Sequence, residues 1–269
     1  MMWSIAQQRV SLILSLLLLG PGVDGMERSA IAQTQFPAPL IEDLVAANRI
    51  LADQGVLDGF GHVSVRHPAN PNRFLMSRSL APALVRASDI MEYDVDGNAV
   101  DAQGRASFLE RFIHSEIYKA RPDVSAIIHS HAPALIPFGI TQTPMRPVYH
   151  VAGFLHAGVP TFDIRRVAGM TNLLVGNNQL GKALAETLGS APMVLMRGHG
   201  NVVVGPEVSL AVYRAIYAQV NAQLQAQAIA LGGPVTYLDP EEARKAEQVN
   251  NQVHKRAWDL WKQAAMSKP

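Results

Sequence analysis

From residue 38 onward, apolar residues at helical spacing alternate with short apolar runs bounded by Gly, Pro, Asn and Asp. In "APLIEDLVAANRILADQG", Leu40, Leu44, Val45 and Leu51 share a helix face, and Gly55 stops the pattern. "GFGHVSVRHP" alternates and ends at Pro68, predicting a strand, with "RFLMS" as its hairpin partner across "HPANPN". "IMEYDVDGNAV" holds Asp96-Gly97 between β-like segments and predicts a second hairpin. "SFLERFIHSEIYKARPD" predicts a helix, with Ser107 and Glu110 at capping-box spacing and Pro122 closing it. A buried strand, "VSAIIHSH", follows, then a short helix or loop, "APALIPFGI". "GNNQLGKALAETLG" is a helix between glycines, and "PMVLMRGHGNVVVG" reads as strand, turn, strand. A long helix has apolar residues at 208, 212, 216, 220 and 224. The last helix has Asp239 as N-cap, Pro240 at its first position, and Glu241 and Glu242 in its first turn. Helices flanking a mainly antiparallel central sheet, without regular strand–helix–strand alternation, give an α/β class fold of three α/β/α layers.

The first 32 residues follow a different pattern. Arg9 precedes an apolar core from Val10 to Leu19, Gly20-Pro21-Gly22 breaks it, and Ala30 and Ala32 form a small-residue cleavage signature. That is the layout of an export signal, and the core is short for a membrane span. Cleavage after Ala32 leaves 269 − 32 = 237 residues, 33–269, as one domain with a C-terminal helical extension. A periplasmic or secreted address follows, with no membrane segment in the mature form. The alternative is translation from Met26 and a cytoplasmic protein. A net charge of +1 gives no basic field for nucleic acid. The chain has no cysteine, so any bound metal is held by nitrogen and oxygen.

Candidate chemistry gathers at histidines. His129 and His131 end an apolar run; in a strand, residues i and i+2 face one side, roughly 6.5–7 Å apart. Two imidazoles so placed converge on one ion at about 2.0–2.1 Å each, although a structural pair at a strand end fits as well. His199 lies between Gly198 and Gly200, which permit a tight turn and a close backbone approach; it is either a ligand or a turn histidine. Glu110 is either half of a capping box or a carboxylate aimed from the helix start. His114, one turn further, is expected to be packed or solvated. Three neutral histidines and one carboxylate suit a divalent ion: Zn²⁺ first, then Mn²⁺, Fe²⁺ or Ni²⁺.

Together these residues resemble the class II aldolase/adducin family. Its pattern is a helical Glu, an H-x-H nineteen residues later and an HG further on, matched here by Glu110, His129-Ser130-His131 and His199-Gly200. The resemblance implies a three-layer α/β/α domain, a cyclic and usually tetrameric homo-oligomer with sites between subunits, and metal ligands at Glu110, His129, His131 and His199. Sugar-phosphate aldolases of the family bind phosphate through G-N-x-S and T-P-[ST]-G segments. This chain has "GHVS" and "FLMSRSLAP" instead, so His62 replaces the Asn and Ser77-Arg78-Ser79 replaces the small-residue loop. Arg78 is a planar fork suited to a carboxylate, with a surface salt bridge as its other reading. A small carboxylate substrate held by His62, Ser77, Arg78 and Ser79 is therefore expected. The family's tyrosine acid/base falls near Tyr149-His150, with His150 preferred as proton donor and Glu110 contributing to catalysis. "GHVSVRHP", "FLMSRS", "ERFIHSEIY" and "RGHG" resemble the decarboxylase branch, which acts on hydroxyaromatic or ring-cleavage acids such as 3,4-dihydroxyphthalate. The expectation is a metal-dependent carbon–carbon lyase releasing CO₂ through a stabilised enolate. Its competitors are a class II aldolase on a non-phosphorylated hydroxy-keto acid and a non-catalytic adducin-like interaction domain.

Overall fold

The computed structural model describes residues 36–268; the expected export signal at 1–32 lies outside the described residues. The fold is in the second of two units, Ala38–Pro269, the first being Met1–Pro37. Seven strands form one sheet: β1 (His62–Arg66), β2 (Arg73–Ser77), β3 (Ile90–Asp94), β4 (Ala126–Ser130), β5 (Thr161–Phe162), β6 (Met193–Met196) and β7 (Gly200–Gly205). Their order is β3-β2-β1-β4-β7-β6-β5, antiparallel throughout except for the β5–β6 pair.

The helices are α1 (Ala38–Asp53), α2 (Arg111–Ala120), α3 (Ile136–Ile140), α4 (Arg165–Ala168), α5 (Asn178–Leu188), α6 (Val208–Ala230), α7 (Pro240–Val253) and α8 (Lys255–Met266). On one face of the sheet, α2 and α5 pack together. There Ile113, Ile117, Leu184 and Leu188 meet Phe74, Met76, Ile127, Val202 and Val204 from the strands. The other layer is built from α1, α6 and α8, which pack on one another. Both faces being covered, β4 and β7 are buried along their whole length. They therefore read as apolar runs and not as apolar–polar alternation.

Local rules account for some element ends. Asp239 caps α7, accepting from the Glu241 amide, while the Glu242 carboxylate returns to the Asp239 amide. The predicted last helix is two helices, divided at His254, whose ring reaches Ser209 and Glu207 at the start of α6. The β1–β2 hairpin forms as expected, Ser64 opposite Met76. The hairpin predicted at Asp96-Gly97 is a turn held by the Asp94 carboxylate, and its second arm is reduced to one bridge, Tyr93 to Ala99. No described helix is long and apolar enough to cross a membrane.

Candidate metal centre

The sheet order sets three histidine-bearing segments side by side. β4 lies between β1 and β7, with His62 opposite His129 and Ser130 opposite Asn201. His129 is the penultimate residue of β4, His131 follows its end, and His199 immediately precedes β7. The tight β6–β7 turn requires Gly198 at φ +65°. At Gly200 the backbone passes so close to Ser130 that a Cβ would overlap its carbonyl oxygen. Close strand approach thus brings β4 and the β6–β7 turn within reach of one point.

The His131 Nε2 lies 3.2 Å from His129 Nε2 and 3.0 Å from His199 Nε2. Glu110 Oε2 is 3.5 Å from His129 Nε2 and 3.3 Å from His199 Nε2. Four ligands at about 2.05 Å from a tetrahedral centre stand about 3.3 Å from one another; these four distances lie near that value, and all the ligand atoms lie within 4.8 Å of one another, a spacing that suits a divalent ion. The outer nitrogens support that arrangement. His129 Nδ1 donates to the Asn201 carbonyl and His199 Nδ1 to the Leu173 carbonyl, each at 3.0 Å, which turns both Nε2 atoms toward the cluster. The four residues Glu110, His129, His131 and His199 form the described cluster suited to a metal ion.

The capping-box expectation for Glu110 is corrected. Helix α2 starts at Arg111, and Glu110 is its N-cap but makes no side-chain cap. Its Oε1 accepts instead from the Val175 amide at 2.9 Å, which turns Oε2 toward the histidines. Ser107 lies outside the helix. Burial alone would raise the Glu110 carboxyl, but hydrogen bonds and charge from His129 and His199 hold it well below the carboxylate range. Burial, with the charge of His129 and His199, lowers His131 to about 4. A permanent carboxylate and a neutral imidazole are the donor states a cation needs.

A cavity of about 600 Å³ opens on the cluster. Its apolar walls are Phe60, Leu80, Ala81, Phe108, Leu109 and Leu174, and its polar members beside the cluster are His62 and Ser79; among the described residues no Lys or Arg lines it. The structure therefore divides the four expected substrate-binding residues. His62 and Ser79 face the cavity. Ser77 is buried at the end of β2, and its hydroxyl has no hydrogen bond among the described residues. Arg78 is corrected to its salt-bridge reading: its Nε donates to Asp89 Oδ1 at 2.6 Å, and it lines a separate cavity with Arg49, Arg86 and Lys268. Successive side chains on an extended backbone point to opposite sides, so the loop that gives Ser79 to the cavity turns Arg78 away.

Tyr149 and His150 line no part of this cavity. Tyr149 packs on Tyr217, with ring centroids 6.5 Å apart, and burial raises its hydroxyl above the ordinary tyrosine range. His150 is exposed, and its carbonyl accepts from the Asn250 side chain. Within one chain neither reaches the cluster, so their expected proton-donor role finds no support there. The cavity walls Phe60, Phe108, Leu109 and Leu174 were missed by pattern analysis, since loop residues carry no periodicity.

Three comparisons bear on this geometry. The Class II Aldolase and Adducin N-terminal domain matches residues 42–226. Decarboxylase tropJ of Talaromyces stipitatus is 39% identical over 251 residues, covering 84% of this chain and 94% of that protein. The 3,4-dihydroxyphthalate decarboxylase of Arthrobacter keyseri is 32% identical over 207 residues, covering 71% and 79%. Among solved structures, an L-fuculose 1-phosphate aldolase from Glaciozyma antarctica PI12 superposes with a TM-score of 0.71 at 26% identity, covering 92% of this chain and 93% of that one.

Proposed function

The chain belongs to the class II aldolase and adducin family, and we propose that it is a metal-dependent carbon–carbon lyase that decarboxylates a hydroxyaromatic or ring-cleavage carboxylic acid. The observation that carries the reading is the junction of a four-residue cluster with an aromatic-walled cavity that no Lys or Arg lines among the described residues. A phosphorylated sugar would bring a dianion and a row of hydroxyls to walls that offer neither cations nor many donors. A planar aromatic acid meets Phe60 and Phe108 with its ring and the cluster with its oxygens.

Glu110, His129, His131 and His199 would hold the ion, which when bound supplies a Lewis acid to an oxygen beside the breaking bond. The side chains do the rest. Apolar walls exclude water and disfavour a localised carboxylate charge; as neutral CO₂ leaves, the electron pair of the broken bond and its negative charge stay on the substrate, spread over the enolate, until a proton is taken up at carbon. His62 stands beside His129, ring centroids 5.1 Å apart, within reach of a substrate oxygen near the cluster. Glu110, ionised and buried, is held by the Val175 amide at Oε1 and so keeps Oε2 on the cluster. The homo-oligomer expected from the family would let His150 serve a neighbouring protomer's cavity. An exported address remains part of the proposal, and N-terminal sequencing of the mature protein tests it.

The experiment couples elemental analysis of the purified protein to CO₂ release from a panel of carboxylated catechols and ring-cleavage acids. One equivalent of divalent metal and release of CO₂, both abolished in His129→Ala, are expected. Full turnover by metal-free protein overturns the metal role. Cleavage of a non-phosphorylated hydroxy-keto acid to an aldehyde, with no CO₂ from any acid, would establish the aldolase alternative.

A further inference from the structure

Behind the metal cluster runs a hydrogen-bonded chain that the decarboxylation reading leaves without a role. His62 Nδ1 is 2.7 Å from His114 Nε2, and His114 Nδ1 is 2.6 Å from Ser64 Oγ. Ser64 Oγ is in turn 2.8 Å from the Tyr118 hydroxyl. All four side chains are buried, His114 and Ser64 completely. The chain forms because residues two apart on β1, His62 and Ser64, face residues four apart on α2, His114 and Tyr118.

We propose that this chain, ending on Tyr118, locks His62 in the tautomer with its proton on Nε2, so that His62 presents a single neutral donor to a substrate oxygen in the cavity. The direction follows from counting protons. Tyr118 has one hydroxyl proton, and Ser64 is the hydroxyl's one hydrogen-bond partner among the described residues. Against its ring lie the Phe74 ring, 5.4 Å away between centroids, and the Arg66 guanidinium, 4.6 Å from its centroid. Neither accepts a hydrogen bond from the hydroxyl, so the buried O–H donates to Ser64. Ser64 then has one proton to give and passes it to His114 Nδ1. A neutral His114, its pKa lowered to about 3 by burial and the charge of His129, therefore carries its own proton on Nε2. That proton goes to His62 Nδ1, and the proton of His62 is left on Nε2. The reverse direction would leave the Tyr118 proton facing the core.

The consequence is chemical. His62 lines the cavity, and its Nε2 has no partner among the described residues. In the assigned tautomer it donates to a carboxylate or phenolate oxygen and has no lone pair with which to take a proton. Burial raises the Tyr118 hydroxyl above its usual range, so the far end resists giving up its proton and the chain braces the tautomer without conducting. Ser64, His114 and Tyr118 are positioning residues that act through His62.

The use of the donor rests on the decarboxylation reading; the tautomer does not. Neutron diffraction from deuterium-exchanged, metal-loaded protein tests it directly. Deuterons are expected on Nε2 of both His62 and His114, with both Nδ1 atoms bare; a deuteron on His62 Nδ1 overturns the assignment. In Tyr118→Phe, or in Ser64→Ala should the first variant fold poorly, the deuteron on His62 is expected to divide between its two nitrogens. Metal content stays unchanged, and kcat falls about two- to tenfold, the worth of one ordinary hydrogen bond. Single occupancy of Nε2 in both variants would remove Tyr118 and Ser64 from the role. Should no acid in the panel release CO₂, the neutron maps still decide the tautomer. Should CO₂ be released while His62 carries its deuteron on Nδ1, this inference alone falls.

Discussion

Replacing Gly200 by alanine should take the metal centre apart while leaving its four ligands in the sequence. A Cβ on Gly200 would overlap the Ser130 carbonyl oxygen and sit 3.1 Å from both Ser130 C and His131 Cδ2. Ordinary non-bonded carbon contacts need about 3.5 Å, so β4 and β7 must part locally by about 1 Å. His131 follows β4 and His199 precedes β7, so the 3.0 Å between their Nε2 atoms widens with the strands. Metal–ligand distances tolerate changes of about 0.2 Å, so one imidazole is lost from the sphere. Affinity should fall by about 100-fold or more, the scale set by a 1 Å misplacement. Overpacking should also cost about 1–3 kcal/mol of stability. Gly198→Ala is the matched control. There φ is +65° but the nearest atom is Leu173 Cδ1, 3.9 Å away, so the variant carries about 1–2 kcal/mol of backbone strain without pushing the strands apart. Competition with a chromophoric chelator measures affinity, and thermal melts measure stability. Gly198→Ala should lose stability and keep its affinity within a few-fold. Gly200→Ala with wild-type affinity would refute the close-approach argument, as would an equal loss of affinity in both variants.

Glu110→Gln keeps an oxygen for the Val175 amide but removes the anion facing the histidines. Metal affinity should drop about 10- to 100-fold with the melting temperature nearly unchanged, and turnover should fall further than metal occupancy, as read from kcat on saturated protein. Phe108 lies 4.6 Å from His62 between ring centroids, so Phe108→Ala should raise KM for an aromatic acid roughly tenfold and leave metal binding intact. His114 is held neutral with a pKa of about 3 by burial and the charge of His129. Between pH 6.5 and about 3 the unfolded chain binds the extra proton, so stability falls as pH drops, by about 1.4 kcal/mol per unit in mid-window. Urea midpoints should show a shallower acid slope for His114→Asn than for wild type; parallel slopes would exclude His114 as a source.

The parts of this protein legible from sequence are those in which a local rule and the tertiary structure agree. The i, i+2 spacing of His129 and His131 placed both at the end of β4, and the glycines around His199 marked a close approach that Gly200 makes against Ser130. Asp239 with Glu242 formed the cap its spacing indicated. The misreadings came where two rules competed. Ser107 and Glu110 have capping-box spacing, yet the helix begins at Arg111, and an amide 65 residues further along the chain takes the Glu110 carboxylate. Only long-range packing decides that contest, and it turns a cap into a carboxylate facing the histidines. At Ser77-Arg78-Ser79 the residue types were informative, but a shift of one position reverses which side chain reaches the cavity.

The Ser64–His114–Tyr118 chain is a different case, because its signal was present and divided between two elements. His62 and Ser64 recur with the period of a strand, His114 and Tyr118 with the period of a helix turn, about fifty residues apart. Neither pair is notable alone, and His114 alone is well described as a packed histidine. Joined across β1 and α2, the four side chains satisfy one another in the core, where an unpaired polar group would be costly. Burial explains why such a network is complete, but not why one end of it opens on the cavity. An apolar replacement of similar shape would fill the same space, whereas the chain as built delivers one oriented N–H beside the candidate ligands. The feature that separates a structural network from a functional one is therefore its open end, the Nε2 of His62.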